Sequence, residues 1–279
     1  MTVSNAPIKK LGLMFYPLAP RAPEIAKKII KLAEKRFQLE LEAFSASVIN
    51  REGVTLENLK ADCLITIGGD GTILRALQRT NVPVLGINTG RIGFLTETDE
   101  SHLEEVLDRL ETGNYTLDRR LRLKNYHGNT RLVDSTNETV LHTATIAKMR
   151  FFEIKVDNEL IQKVRADGLI IATPTGSTCY AMSVGSPILD PRVQAFVITP
   201  IAPFKLTTRP LVVPSNSQIS ISLIEPDKNC ILVMDGQVEV NFRSSDILTC
   251  SLSDLTSNFI HLDYDFYRRF EDKIIHEQQ

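Results

Sequence analysis

The chain has no tryptophan and only four cysteines among 279 residues. The missing tryptophan carries no functional weight. Cys63, Cys179, Cys230 and Cys250 are widely spaced and form no CxxC pair, so they read as free thiols of a reducing, cytoplasmic compartment. The five histidines show no metal-ligand spacing, and no resident metal site is indicated. Charge of either sign is not in excess: 32 basic and 34 acidic residues leave a net charge of -2. That argues against bulk binding to nucleic acid or to a membrane surface. No apolar run is long enough to span a bilayer. Lys9-Lys10, before a short apolar run ending at Tyr16-Pro17, does not make a secretory signal. Repeats and low-complexity stretches are also lacking. What remains is 43% hydrophobic and 24% charged, the composition of a folded soluble protein, with enough chain for two domains.

The first part alternates between strand and helix patterns. Lys10–Tyr16, Leu39–Phe44, Cys63–Ile67 and Val82–Ile87 read as strands. Ala22–Arg36 places Ile25, Ile29, Ile30 and Ala33 at helical spacing. Ser101 and Glu104 form a capping-box pattern at the start of another helix. This alternation predicts an α/β domain with a parallel sheet and helices on both faces, over residues 1–114.

Near Tyr115 the character changes. Phe151–Val156, Val164–Ala172, Gln194–Thr199, Gln218–Ile224, Cys230–Met234 and Gln237–Phe242 read as strands. Ser217–Leu223 alternates as a half-buried antiparallel strand does. Asp235-Gly236 between two such runs signals a hairpin turn. Thr178–Val184 reads as a short helix. Residues 115–262 are therefore predicted to form an all-β, sandwich-like domain. The stretch Tyr264–Ile275 reads as a helix, and residues 263–279 are expected to return to the first domain.

Two segments carry chemistry. In the first, Gly68-Gly69-Asp70-Gly71-Thr72 sits between the Cys63 strand and a helical segment, Ile73–Gln78. Glycines at such a turn admit close approach of a ligand to backbone N–H groups, and the helix start favours anions. Gly69 and Gly71 would admit a phosphate and Thr72 would offer a hydroxyl. An acid beside a phosphate gains nothing from the anion, so Asp70 points to chemistry or to contact with a hydroxyl or a metal. The alternative is a tight turn with an Asp cap and no ligand. In the second segment, Val164–Ala172 runs into Thr173-Pro174-Thr175-Gly176-Ser177-Thr178-Cys179-Tyr180. Hydroxyls, free backbone groups and an aromatic ring in a small space suit a nucleoside. An ordinary hydroxyl-rich loop remains the alternative.

Taken together, these segments resemble the NAD kinase family. The resemblance rests on GGDGT at Gly68–Thr72, LGINTGRIGFLTE at Leu85–Glu97, NE at Asn137-Glu138, DGLIIATPTGSTCYAMSVGSPI at Asp167–Ile188, and DGQ at Asp235–Gln237. GGDGT alone is shared with lipid kinases and phosphofructokinases; the long block after Asp167 is far more specific. The resemblance implies phosphorylation of the adenosine ribose 2′-hydroxyl of NAD to give NADP. ATP or polyphosphate would be the donor, with a divalent metal, magnesium, carried on the nucleotide. It makes Asp70 the catalytic acid group, oriented toward that hydroxyl and able to accept its proton.

As nucleotide-binding positions the resemblance implies Gly69, Gly71, Thr72, Arg75 and Phe94 in the first part. In the second it implies Asn137, Glu138, Lys148, Arg165, Asp167, Thr175, Ser177, Thr178, Cys179, Tyr180, Ala181, Met182, Ser183, Ala202 and Gln237. Asp167 would reach the nicotinamide end, in the family often across a subunit contact, so a homodimer or homotetramer is expected. Turns at Asn137-Glu138 and Asp167-Gly168, a core position for Tyr180, and solvated surface for Lys148 and Arg165 are the plain alternatives. The chain departs from the family pattern at Cys179, where alanine is common, at Ser186, where glycine is common, and at Phe204, near which a histidine is often found. A lipid kinase of the diacylglycerol or sphingosine type would need an apolar or basic membrane-facing surface, and none is evident. A non-catalytic NAD(P) sensor would have little use for Asp70.

Overall fold

The computed structural model describes residues 5–19, 21–90, 93–225 and 228–275. It divides into two compact units: one runs to Arg119 and resumes at Ser257, the other spans Arg120–Thr256.

The first unit is built on a seven-stranded sheet. Its strands lie in the order Gln38–Leu41, Lys10–Phe15, Cys63–Ile67, Val84–Asn88, Ser257–His261, Thr116–Arg120, with Thr98–Asp99 beside Val84–Asn88. Gln38–Leu41, Lys10–Phe15, Cys63–Ile67 and Val84–Asn88 run parallel to their neighbours, and Ser257–His261 is parallel to Val84–Asn88. Cys63–Ile67 and Val84–Asn88 are buried at every residue, as strands covered on both faces must be. One face is covered by Ala22–Ala33 and Leu103–Thr112, whose Ile25, Ile29, Val106 and Leu110 pack with Leu11, Leu13 and Ile65. On the other, Ile73, Leu74 and Leu77 of the helix Asp70–Leu77 pack with Met14, Leu64 and Val84.

Local chemistry overrode the sequence pattern at two places. The Leu39–Phe44 alternation stops at Leu41, because the Glu42 carboxylate accepts from the Phe44 and Ser45 N–H groups and starts a helix at Ala43–Val48. The capping box at Ser101 does not form. Asp99 instead caps a 3-10 turn, Glu100–His102, by accepting from Ser101 N at 2.8 Å, and the α-helix begins at Leu103. The two compact units divide at 119/120 and 256/257, within a few residues of the expected 114/115 and 262/263. Thr116–Arg120 and Ser257–His261 read as β-rich yet complete the first sheet.

The second unit is a sandwich of two six-stranded antiparallel sheets. One sheet has the order Glu159–Ala166, Arg150–Val156, Ile219–Leu223, Ile247–Leu252, Leu123–His127, Thr130–Arg131; the other, Leu211–Pro214, Ala195–Ile201, Gly168–Ala172, Glu138–Thr143, Asn229–Met234, Val238–Arg243. Phe152, Ile154 and Ile221 of the first meet Leu141, Leu169 and Phe196 of the second in one core. The Val164–Ala172 run is two strands, parted at Asp167, each in a different sheet. Asp235 and Gly236, the central residues of the turn closed by Gln237 N on Met234 O, both have positive φ, 50° and 62°.

At the C-terminal end, Asp265 caps a short helix, Phe266–Phe270, that continues as a π-helical turn over Glu271–Ile275. Residues 276–279 of the expected returning helix lie outside the described residues. No helix among the described residues is long and apolar enough to cross a membrane.

Candidate active site

In the first unit, strand Cys63–Ile67 delivers the chain through Gly68 and Gly69 into the helix Asp70–Leu77, for which Gly69 is the N-cap. The Cβ position of Gly69 has no heavy atom within 4 Å, so its backbone is open to a ligand. Thr72 is buried and its N–H bonds the Gly69 carbonyl at 2.9 Å. Arg75 lies half-buried near the far end of the same helix.

The Asp70 carboxylate is held by the loop after Val84–Asn88. Oδ2 accepts from Phe94 N at 2.8 Å; Oδ1 accepts from Leu95 N at 3.1 Å and Thr96 N at 3.3 Å. Three of roughly four lone-pair sites on the carboxylate are thus filled by backbone donors, leaving about one for a substrate hydroxyl. Gly93 lies so close that a Cβ there would stand 1.8 Å from Asp70 Oδ1. The loop is braced internally: Gly93 N and Asn88 Nδ2 both donate to Thr96 Oγ1, at 2.8 and 3.2 Å. Of the LGINTGRIGFLTE block, Arg91 and Ile92 lie outside the described residues. The sequence pointed to Phe94 within this block but not to Gly93, Leu95 and Thr96 as the setting for Asp70.

In the second unit the expected residues fall into two groups, at opposite ends of the paired strands Glu138–Thr143 and Gly168–Ala172. Four residue steps separate the ends, about 14 Å of strand. The first group surrounds Asn137-Glu138. The Asp235 carboxylate accepts from Thr136 N at 2.8 Å, Asn137 N at 2.8 Å and Glu138 N at 3.1 Å. Gly176 packs on this segment, and a Cβ there would stand 2.1 Å from the Asn137 carbonyl oxygen. Asn137 Nδ2 donates to Cys179 Sγ at 3.2 Å. Asn137 is 3% exposed and Glu138 7%, yet Asn137 Oδ1 and Glu138 Oε2 have no hydrogen-bond partner. Buried polar atoms are nearly always paired, so these two adjacent orphans leave bonding capacity that a bound group can fill.

The hydroxyl-rich turn is folded largely upon itself. Ser177 Oγ donates to Pro174 O and accepts from Leu189 N, Thr178 Oγ1 donates to Thr175 O, and Ser183 Oγ donates to Tyr180 O. Thr175–Thr178 forms a buried 3-10 turn and Tyr180–Ser183 one helical turn, with Ala181 buried and Met182 half-buried. Tyr180 is 41% exposed, so it is not a core aromatic. Asp235, which sequence reasoning took only for a hairpin turn, is the buried clamp of this group. Gln237, beyond that turn, is exposed.

The second group gathers Lys148, Arg165, Asp167 and Ala202. Thr143 links two of them: its N–H bonds Asp167 O at 2.8 Å and its Oγ1 donates to Lys148 O at 2.9 Å. Asp167 N bonds Ile201 O, and neither Asp167 nor Gly168 has positive φ, so the turn alternative does not apply. Ala202 does take a positive φ, 45°, and the ring of Phe204 lies 5.3 Å from the exposed Arg165 guanidinium.

Burial pushes the Glu138 carboxyl up to about 8, and the negative Asp235 adds to the shift. Burial also raises Asp235, to about 6, against the pull of its three N–H donors and the Arg122 charge. At neutral pH Glu138 therefore keeps its proton. Between about 4.5, its ordinary value, and about 8, the folded chain holds a proton that the unfolded chain has released. Stability from this group is full below that window and is lost as pH rises through it. Glu138→Gln removes the titration. Between pH 6 and pH 9 the variant is expected to lose less stability than the parent chain, by about 2–3 kcal/mol or 5–10 °C in Tm. Scanning calorimetry at the two pH values checks this; parallel losses in both proteins would contradict it.

The two units match the two halves of one known family. The ATP-NAD kinase N-terminal domain matches residues 20–115 and the ATP-NAD kinase C-terminal domain matches residues 136–262. The NAD kinase of Methanothermobacter thermautotrophicus is 46% identical over 226 residues, 80% of this chain and 80% of that protein. The NAD kinase of Thermoplasma acidophilum is 38% identical over 266 residues, 95% of this chain and 98% of that protein. Among solved structures, an NAD kinase from Archaeoglobus fulgidus in complex with ATP has a TM-score of 0.74 at 28% identity, covering 95% of this chain and 97% of that one. Yeast NADH kinase complexed with NADH has a TM-score of 0.86 over 97% of this chain and 88% of its own, and at 23% identity it shares the fold. The fold and the glycine-rich, acid-bearing turn define a nucleotide-dependent phosphotransferase. The chain belongs to the NAD kinase family.

Proposed function

We propose that the chain phosphorylates NAD to NADP with ATP, and that Asp70 is the residue at which the ribose 2′-hydroxyl is activated. The 2′-oxygen attacks the γ-phosphorus, the new O–P bond forms as the bond to the β-phosphate bridging oxygen breaks, and ADP leaves. The hydroxyl proton passes to the Asp70 carboxylate. The cradled carboxylate carries this reading: three backbone donors fix its orientation and leave one acceptor direction for a hydroxyl. Gly69, Gly71, Thr72 and Arg75 receive phosphate groups at the start of the helix. Asn137, Glu138, Cys179 and Tyr180 hold a nucleoside, with the orphaned Asn137 Oδ1 and Glu138 Oε2 as its polar anchors. Lys148, Arg165, Asp167 and Ala202 serve the other end of the dinucleotide.

Magnesium arrives on the nucleotide phosphates. No cluster of three or more His, Cys, Asp or Glu side chains suited to a metal is found among the described residues. The ion would offset phosphate charge; the chain's own residues orient the hydroxyl and take its proton. A cytoplasmic setting accords with four free cysteines. Incubation with NAD, ATP and magnesium, with NADP read by a dehydrogenase that requires it, tests the activity; failure to form NADP would reject it. The assembly is a homodimer or homotetramer, and light scattering is expected to show it; an active monomer would refute that.

A further inference from the structure

The loop that cradles Asp70 is held from outside as well as by its internal bonds. Its far end is Glu97, whose side chain is 3% exposed, and all of its acceptor capacity is taken up by the C-terminal segment. Oε1 accepts from Leu262 N at 2.8 Å and Asp263 N at 3.1 Å. Oε2 lies 2.8 Å from His261 Nδ1 and accepts from Arg269 Nη2 at 3.0 Å. Burial alone would push this carboxyl up, but His261, Arg269 and the Leu262 N–H outweigh it and hold it below the ordinary carboxylate range. It is a buried anion with a built-in set of donors.

Arg269 does more than pair with that anion. Its Nη1 donates to the Thr96 carbonyl and its Nη2 also donates to the Glu97 carbonyl at 3.1 Å. Thr96 is the residue whose N–H holds Asp70 Oδ1. One peptide unit therefore stands between the Arg269 guanidinium and the Asp70 cradle. The guanidinium is itself fixed: it stacks 4.5 Å from the Tyr264 ring, which lies 4.1 Å from the His261 ring. The Asp118 carboxylate faces the other nitrogen of His261 at 3.4 Å. Four residues on, Lys273 places its ammonium 5.2 Å from the centre of the Phe94 ring, at the near end of the same loop.

We infer that Arg269, through Thr96 and Glu97, is a positioning residue for Asp70, so that the C-terminal segment strapped across the 93–97 loop sets the geometry of the catalytic carboxylate. This rests on the reading of Asp70 as the group that meets the ribose hydroxyl. A loop freed at Thr96 lets three N–H donors drift together. Phosphoryl transfer, which depends mainly on placement, responds steeply to that drift. Nucleoside binding by the second unit does not involve this contact.

The test is a double-mutant cycle of Arg269→Ala and Asp70→Asn on the full chain, with kcat and the KM for NAD measured at saturating ATP and magnesium. Arg269→Ala is expected to lower kcat by about 10- to 100-fold with the KM for NAD within about threefold. In the Asp70→Asn background the same change is expected to cost less than about twofold, because the group it positions is already gone. Glu97→Gln, which keeps an acceptor for the Leu262 and Asp263 N–H groups, is expected to show a smaller loss with the same non-additivity. It carries the test if Arg269→Ala does not fold. An equal loss in both backgrounds, or an Arg269→Ala enzyme with unchanged kcat, would overturn the proposal. An Asp70→Asn enzyme that keeps its kcat would instead overturn the reading of Asp70 on which it rests.

Discussion

Asp70→Asn is expected to lower kcat by about 100- to 10,000-fold, the range that general-base assistance supplies, with a much smaller change in the KM for NAD. The geometry gives this substitution two separate effects. It removes the negative charge and the proton acceptor. It also puts an amide N–H₂ where one of the carboxylate oxygens accepts from Phe94, Leu95 or Thr96. Two donors then face each other, and the side chain must rotate or the loop must shift. Removal of a group that bound substrate equally in ground and transition states would raise KM and leave kcat alone. Steady-state kinetics with varied NAD separates the two, and a variant with near-parental kcat would remove Asp70 from the mechanism. Thermal unfolding of the same variant guards against a trivial loss of fold.

Gly93→Ala is the second large effect, and it leaves every polar group of the site intact. The new methyl carbon would stand 1.8 Å from Asp70 Oδ1 and 2.3 Å from its Cγ, far inside van der Waals contact. The three atoms nearest that methyl carbon all belong to the Asp70 carboxyl group, so the damage falls on the carboxylate. Asp70 must leave its cradle. A displacement of about 1 Å suffices for a loss of about 100-fold in kcat, and this is the expected size. Tm is expected to change little, because the clash is with the end of a side chain. If kcat and KM are both unchanged, the cradle is a resting arrangement that substrate replaces, and the three N–H bonds do not orient the acid in turnover.

The sequence made some of this legible and hid the rest for identifiable reasons. The Gly68–Thr72 turn was readable because glycines, an acid and a hydroxyl lie consecutively between a strand and a helix, so local order alone places them together. The Asn137-Glu138 pair was readable only through resemblance. Its reason for standing where it does, the Asp235 carboxylate under three backbone N–H groups, comes from about a hundred residues away. Asp235-Gly236 already had a sufficient local explanation as a hairpin turn, and the positive φ values bear that out. A residue with one good local reason conceals a second, tertiary one. Arg269 had no local signal at all. Its neighbours Arg268 and Lys273 have the same charge, and the pattern of a short terminal helix does not say which cation meets a buried carboxylate.

By itself the sequence determined the class of each unit. Unbroken apolar strands alternating with amphipathic helices require a parallel sheet covered on both faces, and strands at period two with tight turns require an antiparallel sandwich; both follow from burial of side chains at fixed period. It also brought the glycines, the acid and the hydroxyl of Gly68–Thr72 together in one turn between a strand and a helix. Only the tertiary structure decided that Thr116–Arg120 and Ser257–His261 complete the first sheet, since strand propensity does not name a partner. Only the tertiary structure decided how Asp70 is aimed. That direction is set by N–H groups from residues 94–96 and by a guanidinium from residue 269. Contacts at such separation leave no periodicity in the sequence, because the free energy that orders them comes from the packed fold rather than from neighbouring residues.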